Sequence, residues 1–318
     1  MKDQNAKKIA ETIIDEKLDA KRLMRIIRNT SIVAWQKEIS EEKINNWLKN
    51  FDGSFFEQVE HERKLALWLL AHFTYYTMND VKILCKSLFN QFLHIKLKEE
   101  KNIDLNKSID NIITNTVFVG LGNDSESGNN ILYYFRQENN LKKDSFEIRP
   151  DKRYQNIVYI DDVTISGDQA LNYIQAQNIL ADNIYVAVLI ATKDAFERLK
   201  KNQLKKIEPL SAMILDERDQ AFSDCSYVFS DSEIVKTKDV VKDFCTMYGK
   251  RAVKGWGYME GHPRGFVDGQ YMFGFEYNTP DNTLPIFWGT GNGWTPLFKR
   301  YPKIFDEKEY ISDDRKFY

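Results

Sequence analysis

The sequence predicts an α/β protein: a parallel sheet with helices on both faces, preceded by an N-terminal helical subdomain and followed by an aromatic-rich C-terminal cap. Three observations predict it. The first hundred residues place apolar side chains at helical spacing, with no glycine before Gly53 and no proline before Pro150. From about residue 115 to 230, apolar runs of four to eight residues alternate with helical segments, the pattern of a sheet buried on both sides. From Gly255 onward the chain turns to glycine, proline, aromatics, asparagine and threonine. The expected division is 1–114 for the helical subdomain, 115–254 for the α/β core and 255–318 for the cap.

Each element follows from its residues. Ile13, Ile14, Leu18, Leu23, Ile26 and Ile27 recur at helical spacing. Ser40 before Glu41 and Glu42 reads as an N-cap with an acidic first turn, opening a helix through Ile44, Trp47, Leu48 and Phe51. A helical pattern runs from Phe55 to Tyr76, and Asn79-Asp80 restarts one toward Leu97. Val117 to Leu121 is the first core strand, with a helix from Asn129 to Asn139. Ile157 to Ile160 is the second strand, followed by a helix from Gln169 to Leu180. Ile184 to Ala191 is the third, a charged helix runs from Asp194 to Lys206, and Ala212 to Leu215 is the fourth. Glu233 to Tyr248 reads as a helix, and the tail as loops and a hairpin packed over the sheet.

Composition narrows the function. The chain has 318 residues, 42% hydrophobic and 13% aromatic, which is ample for a buried core. Lys and Arg number 45 against 47 Asp and Glu, so the net charge of −2 gives no footprint of a general nucleic-acid binder. Three cysteines without CxxC spacing point away from a structural zinc site and a disulfide framework, as suits a reducing cytoplasm. The charged N-terminus lacks the apolar region of a signal peptide, and no window approaches a charge-free apolar span, so no membrane partner is expected.

The segment richest in chemistry runs from Ile157 through Tyr159-Ile160-Asp161-Asp162-Val163-Thr164-Ile165-Ser166-Gly167-Asp168 to Gln169-Ala170. It reads as a buried strand ending in two adjacent carboxylates, then a tight turn, then a helix start. Ligands of open α/β sheets bind at the carboxyl ends of strands. A turn entering a helix offers free backbone N–H groups and a positive dipole end to a phosphate. The acid pair suits ribose hydroxyls or a coordinated divalent cation. The plainer reading is a β-turn-α connection with surface aspartates.

The order and spacing of this segment resemble the phosphoribosyl-diphosphate (PRPP) signature of the type I phosphoribosyltransferases. That resemblance implies a type I phosphoribosyltransferase-like sheet, with Asp161 and Asp162 holding the ribose hydroxyls as the catalytic acids. It implies that the turn, Thr164, Ile165, Ser166, Gly167, Asp168 and Gln169, wraps the 5′-phosphate. Mg²⁺ is implied as well, carried by the ligand and reached by Asp161 and Asp162 only through it. Three residues depart from the pattern. Purine-salvage members have a carboxylate where Ile165 stands, which disfavours a hypoxanthine- or guanine-type salvage enzyme. Gln169 replaces the usual Thr, and Asp168 adds a negative charge beside the phosphate unless its side chain points outward. The loop after the first strand, with Gly122, Ser125, Ser127 and Gly128, corresponds to the pyrophosphate loop. It carries no Lys or Arg, so Arg136, Lys193 or Arg218 would have to complete it, and Lys193 at a strand's carboxyl end is the best placed.

In the tail, Asn278, Thr279, Asn282 and Trp288 combine amides and hydroxyls with an aromatic face, a set that can read and stack a base or simply pack a proline-punctuated loop. The N-terminal Asn45-Asn46-Trp47-Leu48-Lys49-Asn50-Phe51, the acid-pair strand and the YNTP, NTLP and PLF runs of the tail, in that order, resemble the PRTase-CE family. These are phosphoribosyltransferase-like proteins of bacterial conflict and antiphage systems, including some retrons. The resemblance spans about Trp47 to Arg300 and implies a defence effector that binds PRPP or a related nucleotide and transfers ribosyl or pyrophosphate groups. The alternative it leaves open is a catalytically silent nucleotide sensor or assembly subunit, docking to a protein or to a reverse transcriptase–nucleic-acid complex.

Overall fold

The computed structural model describes residues 2–36, 39–99, 104–122, 127–149, 152–177, 179–202 and 206–301. Four helices come first: α1 (Lys2–Lys17), α2 (Ala20–Val33), α3 (Glu41–Leu48) and α4 (Val59–Ala71). Asp19 and Ser40 cap α2 and α3 by accepting first-turn amides, as their side chains favour. A short strand β1 (Thr74–Tyr76) leads into the long α5 (Met78–Glu99) and then α6 (Leu105–Thr114). The core follows as β2 (Thr116–Gly120), α7 (Ser127–Glu138), β3 (Tyr154–Thr164), α8 (Asp168–Ala176), β4 (Ala181–Thr192), α9 (Lys193–Lys200) and β5 (Ile207–Leu215). After it come α10 (Lys238–Ala252) and strand β6 (Phe273–Phe275), separated by short 3-10 turns.

The four core strands form a parallel sheet in the order β2-β3-β4-β5. Alternate side chains of each strand point to opposite faces. Phe118, Val158, Ile160, Tyr185 and Leu189 pack beneath α5 and α7, whereas Val117, Tyr159, Val186 and Val188 pack beneath α8 and α9. Both faces are therefore covered, as continuous apolar strands require. The exposed edge of the sheet, β5, is blunted. Pro209 lacks an N–H to offer, the Gln91 side-chain amide donates to the Ser211 carbonyl at 3.1 Å, and the Ser211 hydroxyl donates to the Met213 carbonyl at 2.6 Å.

Register places the site. Gly120, the last residue of β2, pairs with Ile160, so Asp161 to Thr164 run on past the end of β2. On their other side Asp161 pairs with Val188 and Thr164 with Ala191. One flank of this β3 extension is thus sheet, and the other faces the β2–α7 connection.

The tail differs from expectation. Among the described residues it forms no hairpin: β6 pairs in parallel with β1, Thr74 opposite Phe273 and Tyr76 opposite Phe275. The helical pattern expected to reach Tyr76 stops at Ala71, because Thr74, Tyr75 and Tyr76 are strand formers with a distant partner.

A second core joins the two ends of the chain. α1 to α4 pack with α10 and with residues 284–298 in one apolar cluster. The Trp47 indole donates to the Ile286 carbonyl at 2.7 Å and stacks on Phe287 with ring centres 5.7 Å apart. Phe51 sits among Phe244, Tyr248 and Trp294. Glu62, fully buried, accepts the amides of Gly53, Phe55 and Phe56 and the Tyr248 hydroxyl. Four donors on one carboxylate are what make a buried charge tolerable.

Candidate functional site

The site is built from the carboxyl ends of β2, β3 and β4. Asp161 and Asp162 are 7% and 9% exposed, so neither carboxylate points into bulk solvent. Asp162 points to the side of Ile160 and the C-terminal segment, where Tyr277 meets it. Each acid accepts from the backbone just ahead of it. The Asp161 Oδ1 takes the Asp162 N–H at 2.9 Å, and the Asp162 Oδ1 takes the Val163 N–H at 2.8 Å. The Tyr277 hydroxyl donates to the Asp162 Oδ2 at 3.1 Å.

The turn after β3 closes tightly. Gly167 sits at φ +78°, a left-handed conformation that glycine enters without steric cost, and serves as N-cap of α8. The Ser166 hydroxyl accepts the Asp168 N–H at 3.2 Å. A helix N-terminus carries a partial positive charge on its first-turn amides, and here Ser166 takes the one of Asp168. Asp168 pairs with Arg198 of α9, so the charge that seemed ill-placed beside a phosphate is turned aside and neutralised. Thr192, the last residue of β4, fixes the turn from the other side. Its hydroxyl donates to the Ile165 carbonyl at 2.6 Å and accepts the Ala195 N–H at 3.1 Å, capping α9 with the same atom. Ile165 is half-buried against the α5 side of the sheet.

The two ends of the β2–α7 connection, Leu121 and the start of α7, lie against this edge. The Leu121 N–H bonds the Ile160 carbonyl at 2.8 Å. At Gly128 a Cβ would lie 2.2 Å from the Leu121 carbonyl oxygen and 2.9 Å from that of Ile160, so only glycine lets α7 approach the strand so closely. Gly122 adopts φ +94°. Ser125 lies outside the described residues, as does the side chain of Ser127, which opens α7. Lys193 is the exposed first residue of α9, at the carboxyl end of β4. Arg218 is taken up by Asp216, which it contacts through both carboxylate oxygens.

The tail contributes a different residue from those expected. The Asn278 side-chain oxygen accepts the Tyr301 N–H, and the Thr279 carbonyl accepts from Arg300. The Asn282 amide donates to the Phe266 carbonyl, and the Trp288 indole donates to the Thr283 carbonyl beneath Trp256. These bonds hold the tail to itself and to residues 253–266. Tyr277, one residue before the expected set, is the one seen to reach the acid pair. Burial and the neighbouring carboxylates of Asp162 and Asp161 raise its hydroxyl well above the ordinary tyrosine range, so it stays protonated and remains a donor. Sequence reasoning missed Tyr277, Thr192 and Arg198. Of these, Thr192 carried a local signal: a threonine between an apolar strand and Lys193-Asp194 is an N-cap pattern.

A shallow groove of about 590 Å³ runs along one face of α5, lined by Ile83, Lys86, Ser87, Asn90, Gln91 and His94. None of these residues carries a carboxylate. Among the described residues no three His, Cys, Asp or Glu side chains converge on a common metal position. No helix among them is long and apolar enough to cross a membrane.

Comparison with known proteins gives a family match and distant fold similarities. The family model described as PRTase-CE matches residues 44–300. No curated protein matches the chain. Among solved structures the chain is similar to orotate phosphoribosyltransferase from Aeropyrum pernix, at 13% identity and a TM-score of 0.22, covering 34% of this chain and 72% of that one. It is similar to a hypothetical protein from Neisseria gonorrhoeae with bound ppGpp, at 13% identity and a TM-score of 0.29, covering 54% and 98%. Similarity also extends to the xanthine-guanine-hypoxanthine phosphoribosyltransferase of Helicobacter pylori, at 12% identity and a TM-score of 0.26, covering 46% and 90%.

Proposed function

This chain belongs to the PRTase-CE family, and we propose that it binds PRPP or a related nucleotide at the carboxyl edge of its sheet, as an effector in bacterial antiphage defence. One observation carries the reading. Two carboxylates withdrawn from bulk solvent end the strand that runs, through a turn closed by a left-handed glycine, into the N-terminus of a helix. Such a bend suits a 5′-phosphate, and the acids suit the hydroxyls of the attached pentose. Gly128 lets the start of α7 pack against the same edge, where a diphosphate would lie, and Lys193 at the carboxyl end of β4 would supply a cation to it.

The donor set fits a cation that arrives on the ligand rather than one the chain cages. Among the described residues no third ligand converges on the two acids, a set that would suit Mg²⁺ held chiefly by phosphate oxygens. When bound, that ion neutralises charge building on the departing diphosphate. The chain's own part is positioning. Asp161 and Asp162 fix the sugar, the Ser166 to Gln169 backbone fixes the phosphate, and the anomeric carbon is held in line for displacement through an oxocarbenium-like state. No protein nucleophile is needed.

One observation favours the alternative of a silent sensor or assembly subunit. Ile165 packs against the apolar side of the sheet, so no proton acceptor stands at that point of the turn. Titration calorimetry with PRPP and Mg²⁺, run beside a pyrophosphate-release assay, separates the two. Binding with release supports the enzyme, binding without release the sensor, and absence of both refutes the reading. A defence role in the cytoplasm predicts that Asp161→Asn abolishes phage protection in plaque assays.

A further inference from the structure

We propose that Tyr277 is a positioning residue for Asp162, and that through it the site distinguishes a ribose from a deoxyribose. The inference rests on the sugar-phosphate reading of the site. Asp162 has its Oδ1 bonded to the Val163 N–H and its Oδ2 to the Tyr277 hydroxyl. A carboxylate oxygen accepts more than one hydrogen bond, so Oδ2 keeps acceptor capacity for a sugar hydroxyl while Tyr277 fixes its direction. Without the hydroxyl of Tyr277, the carboxylate loses an anchor that helps set its plane.

Tyr277 is itself rigidly placed. Its ring stacks on Phe275 with centres 5.2 Å apart and planes 15° from parallel. Phe275 belongs to β6, which is paired with β1. Between them, Glu276 donates its N–H to the Tyr76 carbonyl at 2.9 Å and accepts the Met78 N–H on its carboxylate at 2.7 Å, tying the segment to the start of α5. A hydroxyl mounted on a two-strand ribbon and a helix terminus is a fixed point rather than a mobile contact.

A site that holds a hydroxyl with oriented partners rejects the analogue that lacks it far better than an apolar pocket can. The wild-type protein is therefore expected to bind a ribonucleoside 5′-monophosphate at least about tenfold more tightly than its 2′-deoxy or 3′-deoxy counterpart. Asp162→Asn identifies which hydroxyl Asp162 holds, as the deoxy probe whose discrimination it erases. Tyr277→Phe, which keeps the stacked ring, is expected to cut discrimination against that same probe to within about threefold and to leave the other probe's ratio unchanged. In the Asp162→Asn background, Tyr277→Phe adds no further loss. Should the phenylalanine variant fail to fold, Tyr277→His retains a ring and a polar group and must show an altered ratio for the same probe.

An unchanged ratio in a folded Tyr277→Phe protein, or equal weakening of all three ligands, overturns the proposal while the sugar-phosphate reading stands. So does a wild-type protein that binds ribo and deoxy ligands alike. A wild-type protein that binds none of the three overturns both.

Discussion

The carboxyl edge of the sheet and the aromatic core at the far end of the chain are held together in opposite ways. At the sheet edge, apart from Tyr277, neighbours in space are close in sequence: Asp161, Asp162, Gly167 and Asp168 lie on one strand-turn-helix, and Thr192 and Arg198 lie on the next. In the aromatic core the partners are far apart along the chain. Trp47 meets Ile286, Asn50 meets Thr295, Asp52 meets Arg251 and Glu62 meets Tyr248. In the proposed site, the polar groups of the first region would present acids and amides to a ligand. The second spends them on one another, closing a fold whose ends must be brought together. Substitutions in the first are expected to change binding more than stability, and substitutions in the second the reverse.

Glu62→Ala is the most forceful attempt to break that division. It leaves the amides of Phe55 and Phe56 buried without an acceptor, together with the Gly53 amide, while the Tyr248 hydroxyl keeps only Asp52. With each unpaired buried group costing about 1–3 kcal/mol, we expect at least about 3 kcal/mol of lost stability in chemical denaturation. Ligand affinity below the transition is expected to be unchanged. A comparable loss of affinity would mean the two regions are one cooperative site.

Gly128→Ala attacks the sheet edge where backbone meets backbone. The added methyl collides with Leu121 and Ile160, so α7 must withdraw. The expected result is loss of ligand binding with about 1–3 kcal/mol of destabilisation, as for other overpacked sites. Retained affinity would show that the β2–α7 connection lies outside the site.

Gly167→Ala is gentler. The nearest atoms, the Ala195 carbonyl oxygen and Leu199 Cγ, would be 3.5 Å from the new methyl, so space exists and the left-handed backbone alone is penalised. About 1 kcal/mol of stability should be lost, with roughly a tenfold drop in affinity measured by calorimetry as the turn amides shift.

Arg198→Ala has the smallest expected effect on stability, about 0–1 kcal/mol, because it removes an exposed ion pair. Its value is diagnostic. It frees the Asp168 carboxylate beside the turn, so affinity for a phosphate ligand should fall several-fold and recover partly at high ionic strength.

What could be read from the sequence tracks this same contrast. The strand, the acid pair, the glycine turn and the helix start lie within a few residues of each other, and strand alternation and turn chemistry act over that range. The α/β core was legible for that reason. The partnership of Tyr277 with Asp162 was not, since nothing local in a tyrosine between Phe275 and Asn278 says which strand end it will meet. Trp288 carried an ambiguous signal: an indole suits a stacked base and a buried cluster equally, and here it is fully buried with Val253 and Met259. The strand at Thr74 to Tyr76 was read as helix because its partner, Phe273 to Phe275, enters only after the whole core has been threaded. Asp168 looked unfavourable beside a phosphate until Arg198, a helix away, supplied its counter-charge.

The central claim is that the aspartate couple and the glycine bend grip one ligand. Its most direct test is calorimetric titration of PRPP with Mg²⁺ into the wild-type protein, Asp161→Asn and Asp162→Asn, each first shown to melt as the wild type does. The account predicts saturable binding by the wild type and at least a tenfold weaker association for each variant, about 1.4 kcal/mol or more. Equal affinity across the three proteins, or no heat from any of them, would contradict it.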